Sequence, residues 1–326
     1  MRKKTRSTEL YLLLFLALLL VILAVFATDF YSINNVMSTL NYFSYLLIGA
    51  IGMNMIIITS NIDVSAGAIV SVVALAIAAV GKTGVPIYVF LPVGMVVGML
   101  LSLFNGLLIT KMRIPAMVAT LATTQLFNGI LPLMVDGSIY DLPATFTALA
   151  FKAKVFGVIP ASLVMAVVIT IVAMLFMKYS KFSKKLYALG NNMSAARLNG
   201  IKVDKVVIIS YVIAGALYAV EATIIATAGQ RVTTTMGNGF EMMMIASVVL
   251  GGTSIAGGSG HIYGTIMGAL ILSIITPAMN YIGLSSDWSD AVIGVIILLA
   301  VIVSELSKLG KTKKVAVEGG EVKQNA

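Results

Sequence analysis

The sequence predicts an all-α polytopic membrane protein with about ten transmembrane helices and both termini cytoplasmic. Three observations predict it. First, 59% of the 326 residues are hydrophobic and 11% are charged, whereas soluble proteins carry roughly 25% charged residues. Second, apolar runs with at most one charged residue recur along the whole chain, and about 20 apolar residues cross a bilayer as a helix. Third, the basic residues fall mostly on one of the two sides that those runs define.

The runs lie near 10–28, 40–59, 64–81, 86–110, 115–135, 158–177, 206–228, 242–257, 262–283 and 289–304. The first, Leu10–Ala27, is longer than the apolar core of a cleaved signal, about 7–15 residues, and is read as a permanent span. The third and eighth runs are short and rich in small residues, which suits a tilted or re-entrant segment. The domain reading is a basic cytoplasmic N-terminus over 1–9, a transmembrane domain over 10–305 and a flexible cytoplasmic tail over 306–326. With the N-terminus inside, 18 of the 22 Lys and Arg residues fall in cytoplasmic segments, and only Lys82, Lys152, Lys154 and Arg231 fall outside. That placement absorbs the net charge of +9 without nucleic acid.

The same totals exclude several chemistries. There is no cysteine and one histidine, His261, so no disulfide, thiolate metal site or histidine metal cluster is expected. The cytoplasmic loop 178–205 and the external loop 136–157 are both shorter than a catalytic domain, which needs about 50 residues. The external loop, with Pro143 and apolar aromatics, is expected on the membrane surface. No catalytic residue and no metal ligand is assigned.

Three segments break the apolar pattern. In Thr59–Gly67, Asp63 with Ser65 can cap the third span; alternatively Asn61, Asp63 and Ser65 line a path, since irregular backbone at membrane depth survives only inside protein or facing water. In Gly251–Gly260, five glycines in ten residues allow close packing and positive φ. No lysine follows as a phosphate loop requires. Gly251, Gly252, Thr253 and Ser254 are read either as tight helix packing with a turn or as a joint that moves. Both segments fall on the cytoplasmic side, so they are not inverted equivalents of one another. In Leu186–Ile201, Asn192 or Ser194 can cap a short helix through Leu198, closed by Gly200 at the C′ position. That helix is either a solvated connector or an element docking into a partner.

Two acids lie in or beside spans. Glu221 is midway along the seventh, where an ionisable residue is costly and marks a candidate functional site. Glu241 is placed at the external start of the eighth, complementing a helix N-terminus.

Four stretches together resemble the membrane permeases of bacterial ABC importers for ribose, galactose, autoinducer-2 and related small sugars. Ser60-Asn61-Ile62-Asp63-Val64-Ser65-Ala66-Gly67 is similar to that family's Gly-Gly-Ile-Asp-Leu-Ser-Val-Gly, and Thr120-Leu121-Ala122-Thr123 to its Thr-Leu-Gly/Ala-Thr. Ala188-Leu189-Gly190-Asn191-Asn192 with Ala195-Ala196-Arg197 and Gly200-Ile201 resembles its cytoplasmic loop. Val248-Val249-Leu250-Gly251-Gly252-Thr253-Ser254 with Gly257, Gly258 and Gly260 resembles its most distinctive stretch. The resemblance covers about 50–305.

It implies a ten-helix subunit in the bacterial cytoplasmic (inner) membrane, paired with a second copy or a sister permease. Two cytoplasmic ABC ATPase subunits would bind the ATP and Mg, so this chain binds no cofactor and is not itself an enzyme. An extracytoplasmic solute-binding protein would deliver the sugar. Gly190, Asn191, Asn192, Ala195, Ala196, Arg197 and Gly200 would form the ATPase-coupling loop. Asn61, Asp63, Ser65, Glu221, Gly251, Gly252, Thr253 and Ser254 would belong to the translocation path or its gate. The chain departs from the family at Met243, where an acid is usual, at Glu221, where a small residue is usual, and at Thr276-Pro277, where Pro277 is expected to kink the helix. The rival reading is a stand-alone proton-coupled secondary transporter using Glu221 and Asp63.

Overall fold

The computed structural model describes residues 2–83, 87–134, 139–141, 154–155, 159–229 and 231–281, with isolated positions between 288 and 298. Most of the tenth run, most of the external loop 136–157 and the tail from 306 lie outside the described residues, so the expectations for them stand as sequence readings. Eleven α-helices follow one another among the described residues: α1 Arg2–Phe26, α2 Ile33–Ile58, α3 Ala66–Gly81, α4 Phe90–Lys111, α5 Ala116–Ile130, α6 Ala161–Tyr179, α7 Lys181–Asn191, α8 Met193–Leu198, α9 Val203–Gly229, α10 Phe240–Leu250 and α11 Ile262–Tyr281. Six helical segments, α2, α4, α5 with the 3-10 turn after it, α6, α9 and α11, are long and apolar enough to cross a membrane. Shorter apolar helices are the Leu12–Phe26 part of α1, α3 and α10.

At the N-terminus α1 begins at Arg2 and runs without a break through the basic residues into the apolar stretch that ends at Phe26. One boundary differs from the sequence reading. The eighth run yields only 11 helical residues, α10. At about 1.5 Å per residue that is roughly half of the ~30 Å hydrocarbon core, because Gly251 and Gly252 end the helix early. Two short antiparallel pairings also occur, between β1 (Ile139–Asp141) and β4 (Arg231–Thr233), and between β2 (Lys154–Val155) and β3 (Ile159–Pro160).

The packing is the inverse of a soluble protein's. On α6 the buried side chains are Ser162, Ala166, Thr170 and Ala173, while Val167, Val168, Ile171, Val172 and Leu175 point outward. On α4 the buried stripe is Gly94, Gly98, Ser102, Asn105, Gly106 and Thr110. Lipid solvates leucine as well as protein does, so helices in a membrane meet through small residues that let backbones approach. Gly98 and Gly215 show this: a Cβ on either would overlap the other's carbonyl oxygen. Gly251 and Gly264 meet in the same way, and Gly268 sits on the Ser247 carbonyl. Hydroxyls within the spans donate back along their own helices, as Thr110 does to Gly106, Thr170 to Ala166 and Ser247 to Met243, which satisfies donors that lipid cannot.

Among the six span-length helices the most deeply buried is α2, against which α6, α9, α10 and α11 pack. Its last four residues, Met55 to Ile58, are almost wholly buried, and it ends at the turn 59–65. α11 runs unbroken to Tyr281 with Pro277 inside it. Thr276 donates to the Leu272 carbonyl one turn earlier.

Candidate functional site

The loop 178–205 folds into two short helices with well-defined ends. Ser180 caps α7 by accepting from the Phe182 amide at 3.0 Å. Leu186 and Leu189 bury the inner face of α7. Asn192, rather than Ser194, caps α8, accepting from the Ala195 amide at 2.9 Å. At the other end Gly200 has φ +77. Its amide donates to Arg197 at 3.0 Å and the Ile201 amide to Ala196 at 3.1 Å, the two bonds of a Schellman closure. Only Ala196 of α8 is buried, while Leu198 is 90% exposed beside the exposed Arg197. A six-residue helix is far below the length that is stable alone, so both caps are needed to hold this protruding knob. Arg197 in its last turn also complements the negative helix end.

Gly190 and Asn191 do something else. They sit at the last turn of α7, where it crosses the end of α2, and the glycine-rich loop crosses both. The Gly258 amide donates to the Ile58 carbonyl at 2.9 Å. A Cβ on Gly190 would overlap that same carbonyl oxygen and approach the Gly258 amide. Asn191 Nδ2 donates to Tyr187 at 2.8 Å and to Gly258 at 3.2 Å. The Tyr187 hydroxyl donates to the Gly260 carbonyl at 2.9 Å, and burial raises that phenol above its usual value. The Ser60 hydroxyl reaches the Ala256 carbonyl at 2.8 Å and the Gly190 carbonyl at 3.1 Å. Ser60 itself is left-handed, φ +63, a conformation uncommon outside glycine. The three interrupted segments therefore meet at one junction.

The rest of the 59–65 turn points the other way, into the helices. Asp63 does not reach the helix interior as a cap: its Oδ1 accepts from the Ser65 amide at 3.0 Å and the Ser65 hydroxyl at 2.6 Å. Ser65, at the N-cap of α3, makes no capping bond with its side chain; its hydroxyl accepts from Asn105 Nδ2 at 2.7 Å. The expected Asp63–Ser65 cap is thus a local turn whose hydroxyl is spent on α4. Thr120 of α5 accepts from the Val64 amide at 3.2 Å, and the Tyr211 hydroxyl of α9 donates to the Ile62 carbonyl at 3.2 Å. Asp63 and Asn105 are fully buried, each with one oxygen that no group among the described residues hydrogen-bonds. The Asn61 side chain donates to Thr59.

Glu241 lies elsewhere than its sequence position indicates. A Cβ on Gly67 would overlap the Glu241 carboxylate and the Gly237 carbonyl, and the Gly237 amide donates to Ser71 at 2.8 Å. So α10 starts beside the first two turns of α3, although the sequence reading put these two helix starts on opposite faces, and Glu241 is partly exposed there. The N-termini of α3 and α10, with Asp63 and Glu241, face one region.

Gly251 and Gly252 end α10: Gly252 has φ +84, its amide donates to Val249 at 2.8 Å, and the Thr253 amide donates to Val248 at 3.1 Å. Thr253 is buried and accepts from Asn54 Nδ2 at 2.8 Å; the same amide donates to Thr265 at 2.9 Å. Ser254 is buried in the same turn. These four residues close packing between α2, α10 and α11. Glu221 is fully buried, with neither oxygen hydrogen-bonded among the described residues. Its carboxyl occupies the notch left by Gly49, with the Met244 sulfur alongside, so it packs between α2, α9 and α10, apart from the 59–65 turn.

Sequence reasoning missed Asn54, Asn105, Tyr187, Tyr211 and Thr265. An amide inside an apolar run was the available signal for Asn54 and Asn105, since each must find partners there. No group of three or more His, Cys, Asp or Glu suited to a metal occurs among the described residues.

Residues 35–301 match the family model described as branched-chain amino acid transport system / permease component. The chain is 33% identical over 296 residues to the ribose import permease protein RbsC of Escherichia coli K12, covering 89% of this chain and 92% of that protein. It is 33% identical over 288 residues to RbsC of Bacillus subtilis, covering 88% and 89%. The autoinducer 2 import system permease protein LsrC of Yersinia enterocolitica is 33% identical over 287 residues, covering 86% and 79%. No solved structure gives a significant match.

Proposed function

The chain belongs to the branched-chain amino acid transport system / permease component family, and from that premise we propose that it is the transmembrane permease subunit of an ATP-binding-cassette importer. The solute is a small sugar or sugar-like molecule, in keeping with the ribose and autoinducer 2 permeases it resembles. The subunit has ten spans with both termini cytoplasmic, lies in the bacterial cytoplasmic membrane, and pairs with a second copy or a sister permease.

The observation that carries this reading is α8. Its two caps hold a helix that the chain itself buries only through Ala196, leaving Leu198 and Arg197 outward. An apolar knob beside a cation, in the most basic inter-span loop, suits seating in a groove of a cytoplasmic ATPase subunit. That subunit binds ATP and Mg and supplies the hydrolysis. An extracytoplasmic binding protein brings the solute to the opposite face. Transport proceeds by alternating access, so the ATPase and the binding protein must each bind one conformation better than the other. The path passes the N-termini of α3 and α10, where Asn61, Asp63, Asn105 and Glu241 offer oxygen and amide groups to sugar hydroxyls and Ser65 holds Asp63 and Asn105 in place.

The alternative, a proton-coupled transporter using Glu221, fits less well. Its carboxyl fills a packing notch over Gly49 and shares no hydrogen bond with Asp63 or His261. The deciding experiment is affinity purification of the tagged chain from native membranes in mild detergent, with co-purifying chains identified by mass spectrometry. An ATPase bearing a Walker motif, with ATP-dependent sugar uptake after reconstitution, is the expected result. Recovery of this chain alone, active in proteoliposomes under a proton gradient, overturns the reading.

A further inference from the structure

Resting on the importer reading, we infer that the end of α2, the last turn of α7 and the loop 256–260 move as one body during transport, with Ser60 as the positioning residue that latches them. Displacement of α8 by the ATPase would then reach α2 and the α10–α11 joint directly instead of being absorbed by loops.

Four contacts carry this. Three are the Gly258 amide on the Ile58 carbonyl, the Asn191 amide on the Gly258 carbonyl and the Tyr187 hydroxyl on the Gly260 carbonyl. The fourth is the Ser60 hydroxyl, whose single proton is shared between Ala256 and Gly190. Gly190 admits the crossing because any Cβ there would strike the α2 carbonyl. Gly257 and Gly258 turn the loop onto it, with φ +83 and +70. From this junction α7 leads through Asn192 straight into α8, with no intervening flexible residue. On the other side the loop leads to Thr253 and Thr265, which Asn54 of α2 holds together. Ser60 adopts a left-handed conformation that costs a non-glycine residue energy. Its hydroxyl is the group that spans all three segments.

The test uses the chain assembled with its ATPase and binding protein in proteoliposomes, reading solute imported per ATP hydrolysed. The chain has no cysteine, so the pair Ser60→Cys with Ala256→Cys can be oxidised without background. Disulfide formation with import kept within twofold is expected, because bodies that move together tolerate the bond. A block of import by the oxidised pair that a reductant reverses overturns the inference. Ser60→Gly keeps the left-handed backbone, without its cost to a non-glycine residue, and removes the side chain with its hydroxyl. It is expected to lower import per ATP about fivefold, the factor corresponding to ~1 kcal/mol for one hydrogen bond, with ATP hydrolysis little changed. An unchanged ratio removes Ser60 from the role. Absence of ATP-driven import by the unmodified complex would instead count against the importer reading.

Discussion

Gly200 offers the cleanest separation of backbone from side-chain effects in α8. A Cβ placed there meets nothing within 4 Å, yet φ is +77. Substitution therefore costs conformation and not space within the chain. A left-handed L-residue costs about 1–2 kcal/mol, more for a β-branched one, while asparagine adopts that region readily. The Asn192 cap that holds the other end contributes about 1 kcal/mol, so the penalty is comparable to what holds α8 in place. Losing roughly 1–2 kcal/mol shifts a folded-to-frayed ratio about 5–30-fold. Gly200→Val should therefore fray the helix, releasing the Gly200 and Ile201 amides, and Gly200→Asn should not. Hydrogen exchange at those two amides reads the fraying, and import against ATP hydrolysis in the reconstituted complex reads the consequence. Gly200→Val is expected to hydrolyse ATP with import reduced at least fivefold, with Gly200→Asn near normal. Equal impairment by both would show that bulk against a partner matters and the turn does not. Normal import by Gly200→Val would refute the requirement for α8.

Other expectations follow from the same packing. Leu198→Asp should leave detergent stability within about 0.5 kcal/mol, as for other surface changes, because Leu198 is 90% exposed; recovery of the ATPase on purification should fall at least tenfold. Glu221→Gln keeps the shape that fills the Gly49 notch, so import and its pH profile should be unchanged; loss of uptake with an altered pH profile would favour proton coupling. Gly264→Val drives a side chain into the Gly251 backbone, and overpacking of about 1–3 kcal/mol should lower the melting temperature and the yield of monodisperse protein.

Much of this protein was legible along the chain because the signals are local. Hydropathy located α1 to α6, α9 and α11 to within a few residues at most ends, since a span must satisfy its own backbone in lipid. Asn192 and Gly200 marked the ends of α8, since capping chemistry acts over three or four residues. The glycines at 251 and 252 announced a break. Contacts between distant residues were not legible. That Ser60 meets Gly190 and Ala256, 130 and 196 positions away, depends on how the ends of α2 and α7 cross. So does Glu221 filling the space above Gly49, and Glu241 arriving beside Gly67, which the sequence reading set on the opposite face. Hydropathy reports whether a residue leaves water, whereas its neighbour is chosen by the shapes of facing helices. That choice needed the tertiary structure.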